Sequence, residues 1–226
     1  MPTPARRIAA SWEANAAPWT QVVREALIPS RAAGTDAAVV DACRDACRAG
    51  ARVLDVGCGE GWLARALHAE GARVTGIDGS APLVEAAARL GGGDFHTVSY
   101  EALAAHADTC PGPFDLVVCN FALLDDQAPA LLRALGARLA PGGTIIVQTV
   151  HPWTALGDAP YRDGWRTETF AAFPLPFPAE MPWFYRTMAR WVDDVREAGL
   201  TVRALREPLH PDTHRPLSLL ITLGAP

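Results

Sequence analysis

Apolar residues in this chain alternate between two spacings, and the alternation defines an architecture. Val53-Leu54-Asp55-Val56 and Phe114-Asp115-Leu116-Val117-Val118-Cys119-Asn120 are short and largely apolar, as parallel strands covered on both faces should be. Strands are predicted at 52–56, 72–78, 94–98, 114–120 and 144–150. Helices are predicted between them at 61–70, from Ser80 onward, at 100–107 and at 127–139. Ser80 can N-cap the helix whose buried stripe is Leu83, Val84, Ala87 and Leu90. Gly71, Gly91-Gly92-Gly93, Pro111-Gly112-Pro113 and Pro141-Gly142-Gly143 punctuate the pattern. Strand, helix, strand in this order predicts right-handed βαβ units and a doubly wound α/β sheet.

The two ends differ from this middle. Residues 5–30 read as helix, with Pro18 separating two pieces. Thr35-Asp36 caps a second helix, with Val39, Val40, Cys43, Ala46 and Cys47 on one face and Gly50 as its stop. At the other end a helix over 187–198 stops at Gly199. Strands at 201–207 and 217–223 follow with no helix between them, which implies a hairpin. Residues 1–50 are therefore expected to form a helical cap on an α/β domain spanning 51–226.

Residues 151–186 fit neither spacing. The segment carries Trp153, Tyr161, Trp165, Phe170, Phe173, Phe177, Trp183, Phe184 and Tyr185. A connection this long within a compact domain is functional or disordered, and the aromatic content argues against disorder. It follows the fifth strand, at the carboxyl edge where such sheets bind ligands. It reads as a substrate lid, or alternatively as an excursion packing on its own neighbours or on a dimer partner.

Composition narrows the classes. The chain has 226 residues, half hydrophobic and a fifth charged, with net charge −5. There is no run of Lys or Arg to mark a nucleic-acid surface. No apolar stretch reaches the ~18 residues of a membrane span. The amino terminus lacks an apolar signal core, so a cytoplasmic protein is expected. Cys43 and Cys47 lie one helical turn apart and could pair on a metal or serve as small core residues; the latter reading, with no metal, suits the unpaired cysteine count.

The chemistry gathers at Arg52-Val53-Leu54-Asp55-Val56-Gly57-Cys58-Gly59-Glu60-Gly61-Trp62-Leu63. Here a strand meets a glycine turn and then a helix, which together form a cofactor cradle. A second strand, Arg73-Val74-Thr75-Gly76-Ile77-Asp78, ends in an acid placed to accept ribose hydroxyls. The dinucleotide fingerprint wants a small residue where this chain has Trp62. What remains, Asp55-x-Gly57-x-Gly59-x-Gly61 with Asp78 downstream, resembles motif I of the class I S-adenosylmethionine (SAM)-dependent methyltransferases. The carboxy-terminal hairpin resembles theirs as well. That likeness implies a seven-stranded, mainly parallel sheet with its last strand antiparallel.

The resemblance also implies roles. Gly57, Cys58 and Gly59 would approach the methionyl and ribose parts of SAM, and Asp55 would meet its ammonium. Asp78, Gly79 and Ser80 would lie beside the adenosine. Ser99 and Tyr100 stand where family members carry an acid and an apolar residue near the adenine. Asn120 and Phe121 would line the cleft near the methionyl or methyl end, and they lack the prolines found in the family's DNA-modifying enzymes. Trp12 or Trp19 would close over the cofactor. The expected reaction gives S-adenosylhomocysteine (SAH) and a methylated O, N or C atom of a small, apolar or aromatic acceptor. Trp153, Tyr161, Arg166 and Tyr185 are candidate acceptor contacts. His151, at the end of the fifth strand, is a candidate general base, or else a lid fastener. A monomer or homodimer with no nucleic-acid or membrane partner is expected. The competing readings are a nicotinamide-dependent oxidoreductase and a SAM-binding protein without transferase activity. The insert is expected to be dispensable for SAM binding.

Overall fold

The computed structural model describes residues 2–226. Helix α1 (Pro4–Arg24) starts at Thr3, whose side chain accepts from the Arg6 amide. It runs straight through Pro18 instead of dividing there. Pro18 leaves the Ala14 carbonyl without its helical partner, and Ala14 is exposed, so water can satisfy it. A π-type turn at Arg31–Thr35 leads into α2 (Asp36–Ala46). The Thr35 hydroxyl makes no capping bond; the Thr35 carbonyl instead accepts from Gln148.

The alternating middle follows as β1 (Arg52–Val56), α3 (Trp62–Ala69), β2 (Arg73–Asp78), α4 (Ala81–Leu90), β3 (Asp94–Thr97), α5 (Tyr100–Ala105), β4 (Phe114–Asn120), α6 (Ala128–Gly136) and β5 (Leu139–Val150). The insert contributes a separate hairpin, β6 (Gly164–Glu168) and β7 (Met181–Tyr185), which its proline-rich sequence did not announce. Helix α7 (Met188–Glu197) and strands β8 (Thr201–Arg206) and β9 (Ser218–Gly224) complete the chain.

Seven strands form one sheet in the order β3-β2-β1-β4-β5-β9-β8. Strands β1 to β5 pair in parallel, and β9 runs antiparallel between β5 and β8. One face is covered by α5, α6 and α7 through Leu103, Leu131, Leu132, Leu135, Trp191 and Val195. The other is covered by α2 and α3 through Val39, Ala42, Cys43, Leu63, Ala64 and Leu67. Helix α2 thus belongs to the core; of the two N-terminal helices only α1 lies over the ligand edge, so the expected boundary at residue 50 divides side chains that pack together. In α4 the buried stripe is Leu83, Val84, Ala86 and Ala87, while Leu90 at its end is exposed. No described helix is long and apolar enough to cross a membrane. The strand order reverses between β1 and β4, and that switch point opens the crevice where ligands bind in such sheets.

Candidate active site

The glycine loop after β1 spends its own amides. Gly57 and Cys58 donate to the Ile77 carbonyl at 2.8 and 3.0 Å, and Gly61 donates to Cys58 at 3.0 Å. Gly59 donates to Asp78 Oδ2 at 2.9 Å, while Ser80 N donates to Asp78 Oδ1 at 2.8 Å. A phosphate cradle needs free N–H groups, and these four are occupied. Gly57 earns its place by shape. Its φ is 72°, and an added Cβ would lie 2.6 Å from both Ala122 Cβ and the Tyr100 hydroxyl. Below the loop, Glu60 takes Arg24 at 2.9 Å and Arg65 at 2.7 Å, so the end of α1 is pinned to it.

Above the loop lies a cleft of about 810 Å³ when its open, solvent-filled mouth is included. Its floor is Gly57, Gly59, Asp78, Gly79 and Ser80, with Ser99 and Tyr100 along the side. Its roof is one face of α1, with Ala5, Ile8, Ala9, Trp12 and Trp19. The charged walls are Asp78, Glu101 and Asp125; no described Lys, Arg or His lines it. Burial pushes the Asp78 and Asp125 carboxyls above the usual range. Such a cavity attracts a cation and repels pyrophosphate. Asp55 lies underneath, 1% exposed, with its Oδ2 unpartnered by any protein group. Burial, and then the nearby Asp78 charge, raises its pKa to about 7.

A second, aromatic cavity adjoins the first. It is formed by Phe170, Phe173, Met181, Trp183, Phe184 and Tyr185 of the insert, together with Trp191, Ile28, Thr149 and others. Trp12, Trp19, Phe121 and Leu124 are walls of both cavities. The rings interlock: Trp12 meets Trp19 at 5.0 Å and Phe170 at 6.1 Å, and Trp19 meets Phe173 at 6.0 Å. The insert is fastened below by Phe184 N to Leu124 O at 2.7 Å and by the buried Arg186, which donates to the carbonyls of Leu123 and Asp125.

Several residues singled out from the sequence fall elsewhere. Cys58 turns its thiol toward Gly76 and is not a wall of the cleft. The Asn120 side chain accepts from Gln148 Nε2 at 2.8 Å, inside a buried polar network under the sheet edge. His151 lines neither cavity. Its Nδ1 accepts from Trp153 N at 3.2 Å, so the ring proton sits on Nε2, 2.7 Å from Glu207 Oε1. That arrangement leaves no free nitrogen for a base and matches the fastener alternative. Trp153 is 65% exposed, and Tyr161 accepts from Met188 N. Arg166 packs 3.5 Å over the Tyr185 ring and donates to Ala155 O. Of the four acceptor candidates only Tyr185 reaches the aromatic cavity. Cys43 and Cys47 are core and near-core residues, and no described cluster of His, Cys, Asp and Glu could hold a metal.

Comparison with known proteins decides the class. A family model described as a methyltransferase domain matches residues 30–205, well over half of the chain. The chain belongs to the class I SAM-dependent methyltransferases. The nicotinamide reading falls with that assignment, as the acidic cleft already indicated. A ubiquinone biosynthesis O-methyltransferase of Xanthomonas campestris is 43% identical over 109 residues, covering 45% of this chain and 44% of the relative. The chain thus spans less than half the length of such curated relatives. A SAM-dependent methyltransferase of Mesorhizobium loti is 25% identical, with a TM-score of 0.59 over 81% of this chain and 95% of the other. The structure of DhpI with SAH has the same fold, with a TM-score of 0.67 at 20% identity over 99% and 98% of the two chains.

In this methyltransferase, sequence reasoning passed over Ile8, Ala9, Leu83, Glu101, Leu124 and Asp125, all of which line the cleft. Ala5, Ile8, Ala9, Trp12 and Trp19 stand at helical spacing, so the α1 stripe was readable. Arg186 carried no signal beyond its place at the end of an aromatic run.

Proposed function

We propose that the enzyme methylates a small, flat, apolar or aromatic acceptor seated in the insert cavity, with SAM in the acidic cleft. The observation that carries this reading is the shared wall: Trp12, Trp19, Phe121 and Leu124 border both cavities, so they meet through an apolar collar. SAM supplies an electrophilic methyl on a sulfonium.

The residues present fit that cofactor. Asp78 would take ribose hydroxyls on the lone pairs its two backbone bonds leave free. The unpartnered Asp55 oxygen suits an ammonium, directly or through water. Gly57 and Gly59 keep the floor clear, Gly79, Ser80, Ser99 and Tyr100 would flank the nucleoside, and Trp12, Trp19 and Phe121 would roof it. The collar carries no titratable group, so the chain's contribution there is alignment and exclusion of water. An oxygen nucleophile is favoured among O, N and C by the curated relatives' name. The five free cysteines suit a reducing cytoplasm, with the enzyme a monomer or homodimer.

SAH release from SAM with a panel of phenols, aromatic amines and non-aromatic alcohols tests the reading. Turnover should appear with ring-bearing acceptors and fall sharply in Trp183→Ala. Turnover confined to polar, ring-free acceptors would sink it.

A further inference from the structure

Helix α1 roofs the cofactor cleft, and the insert forms the acceptor cavity. They meet at Asn15, which is 0% exposed and lines neither cavity. The Asn15 side chain binds both backbone groups of one insert residue, Ala179. Its Nδ2 donates to Ala179 O at 2.7 Å, and its Oδ1 accepts from Ala179 N at 3.1 Å. The same Nδ2 also donates to Ser11 Oγ at 3.1 Å. The amide is therefore fully engaged and fixed in one orientation.

Asn15 lies between Trp12 and Trp19 on the face of α1 that meets the insert, and those two rings are walls of both cavities. Trp12 leans on Phe170 and Trp19 on Phe173, while Phe170 stacks on Phe177 at 4.4 Å. The ring contacts are apolar and tolerate sliding. The Asn15 pair is directional and sets the register between helix and insert.

We infer that Asn15 is a positioning residue that locks the cofactor-side helix to the acceptor-side insert, so that the cofactor stays enclosed only while the insert is docked. The inference rests on SAM or SAH occupying the acidic cleft. Its consequence is reciprocal: a ligand that holds α1 down also holds Ala179 in place. The insert is then not dispensable for cofactor retention, contrary to the expectation from sequence.

The test uses SAH as the probe and the full chain. By hydrogen exchange, SAH should slow exchange of the amides at 177–181 in the wild type, although Ala179 is not itself a wall of the cleft. Asn15→Leu, close in size but without the two bonds, should raise the SAH dissociation rate at least roughly tenfold and abolish that protection. Asn15→Asp keeps the acceptor for Ala179 N and should fall between. Circular dichroism melts check that each variant folds. If Asn15→Leu releases SAH at the wild-type rate, or if SAH leaves exchange at 177–181 of the wild type unchanged, the lock does not exist. If the wild type binds no SAH at all, the cofactor assignment beneath the inference fails and takes the lock with it. The wild-type exchange readout decides the matter even where a variant does not fold.

Discussion

The two cavities share a wall but are built on opposite principles. The cofactor cleft rests on the carboxyl edge of the sheet, with acids and bare backbone on its floor and walls and the apolar face of α1 as its roof. The proposed acceptor cavity is walled largely by rings, of which Phe170, Phe173, Trp183, Phe184 and Tyr185 come from the insert, whose hairpin lies outside the main sheet. In the first, position comes from backbone that the sheet fixes. In the second, position comes from rings leaning on rings, and from a few directional bonds at Asn15, Phe184 and Arg186. Chemistry common to a family can sit on the first, while specificity can change on the second without disturbing the sheet.

The sharpest way to break this contrast is Gly57→Val. At φ 72° and 2.6 Å from Ala122 Cβ and the Tyr100 hydroxyl, the new side chain has no room. Backbone strain alone costs roughly 1–3 kcal/mol. Calorimetry should show SAM affinity reduced roughly a hundredfold or more once the overlap is added. Normal SAM affinity in that variant would mean that the loop is not the floor of the site.

On the other side of the collar, Trp183→Ala removes a ring from the acceptor cavity alone. Losing one such ring should raise the acceptor KM roughly ten- to a hundredfold. Steady-state kinetics on a responsive acceptor measures it, and a change confined to the KM for SAM would count against the division.

Asp55 provides a pH test. Its carboxyl has an ordinary value of 3.8 and is pushed to about 7 in the folded chain. The folded state therefore holds the proton more tightly than the unfolded state. The stabilisation this brings is complete below about pH 4 and is lost as pH rises toward 7. Asp55→Asn cannot ionise and should lack that loss. Its stability relative to wild type, measured by urea unfolding without cofactor, should rise between pH 5 and pH 8 by about 1–3 kcal/mol. A difference that is flat with pH would show Asp55 ionised throughout.

The smallest effect is expected from His151→Ala. A general base would cost roughly 10²–10⁴-fold in turnover. With one ring nitrogen on Trp153 N and the other on Glu207, only a lid fastening is lost. Turnover should fall less than roughly tenfold, and a larger loss would restore His151 to the chemistry.

These contrasts also explain what the sequence could show. Strand, loop and acid lie within residues 52–80, so local spacing reveals them. The terminal hairpin was legible because no helix separates 201–207 from 217–223. Errors came where neighbours were assigned together. Asn120 and Phe121 were both expected at the methionyl or methyl end, but β4 ends at Asn120 and the chain turns through Phe121 at φ 53°, so the two side chains part and only Phe121 reaches the cavities. Cys58, between Gly57 and Gly59, departs for the same kind of reason. The partnership of Asn15 with Ala179 spans 164 residues, and no periodicity reports contacts of that separation.

The division of labour itself can be measured directly in one experiment, the SAH affinity of Asp78→Asn and Trp183→Ala determined side by side by calorimetry. Asp78 stands on the floor of the cofactor cleft, and Trp183 lines only the acceptor cavity. Losing the charged acceptor should weaken SAH roughly ten- to a hundredfold, while losing the ring should leave SAH within about threefold of wild type. The reverse order, or equal losses in both variants, would contradict the separation of the two cavities.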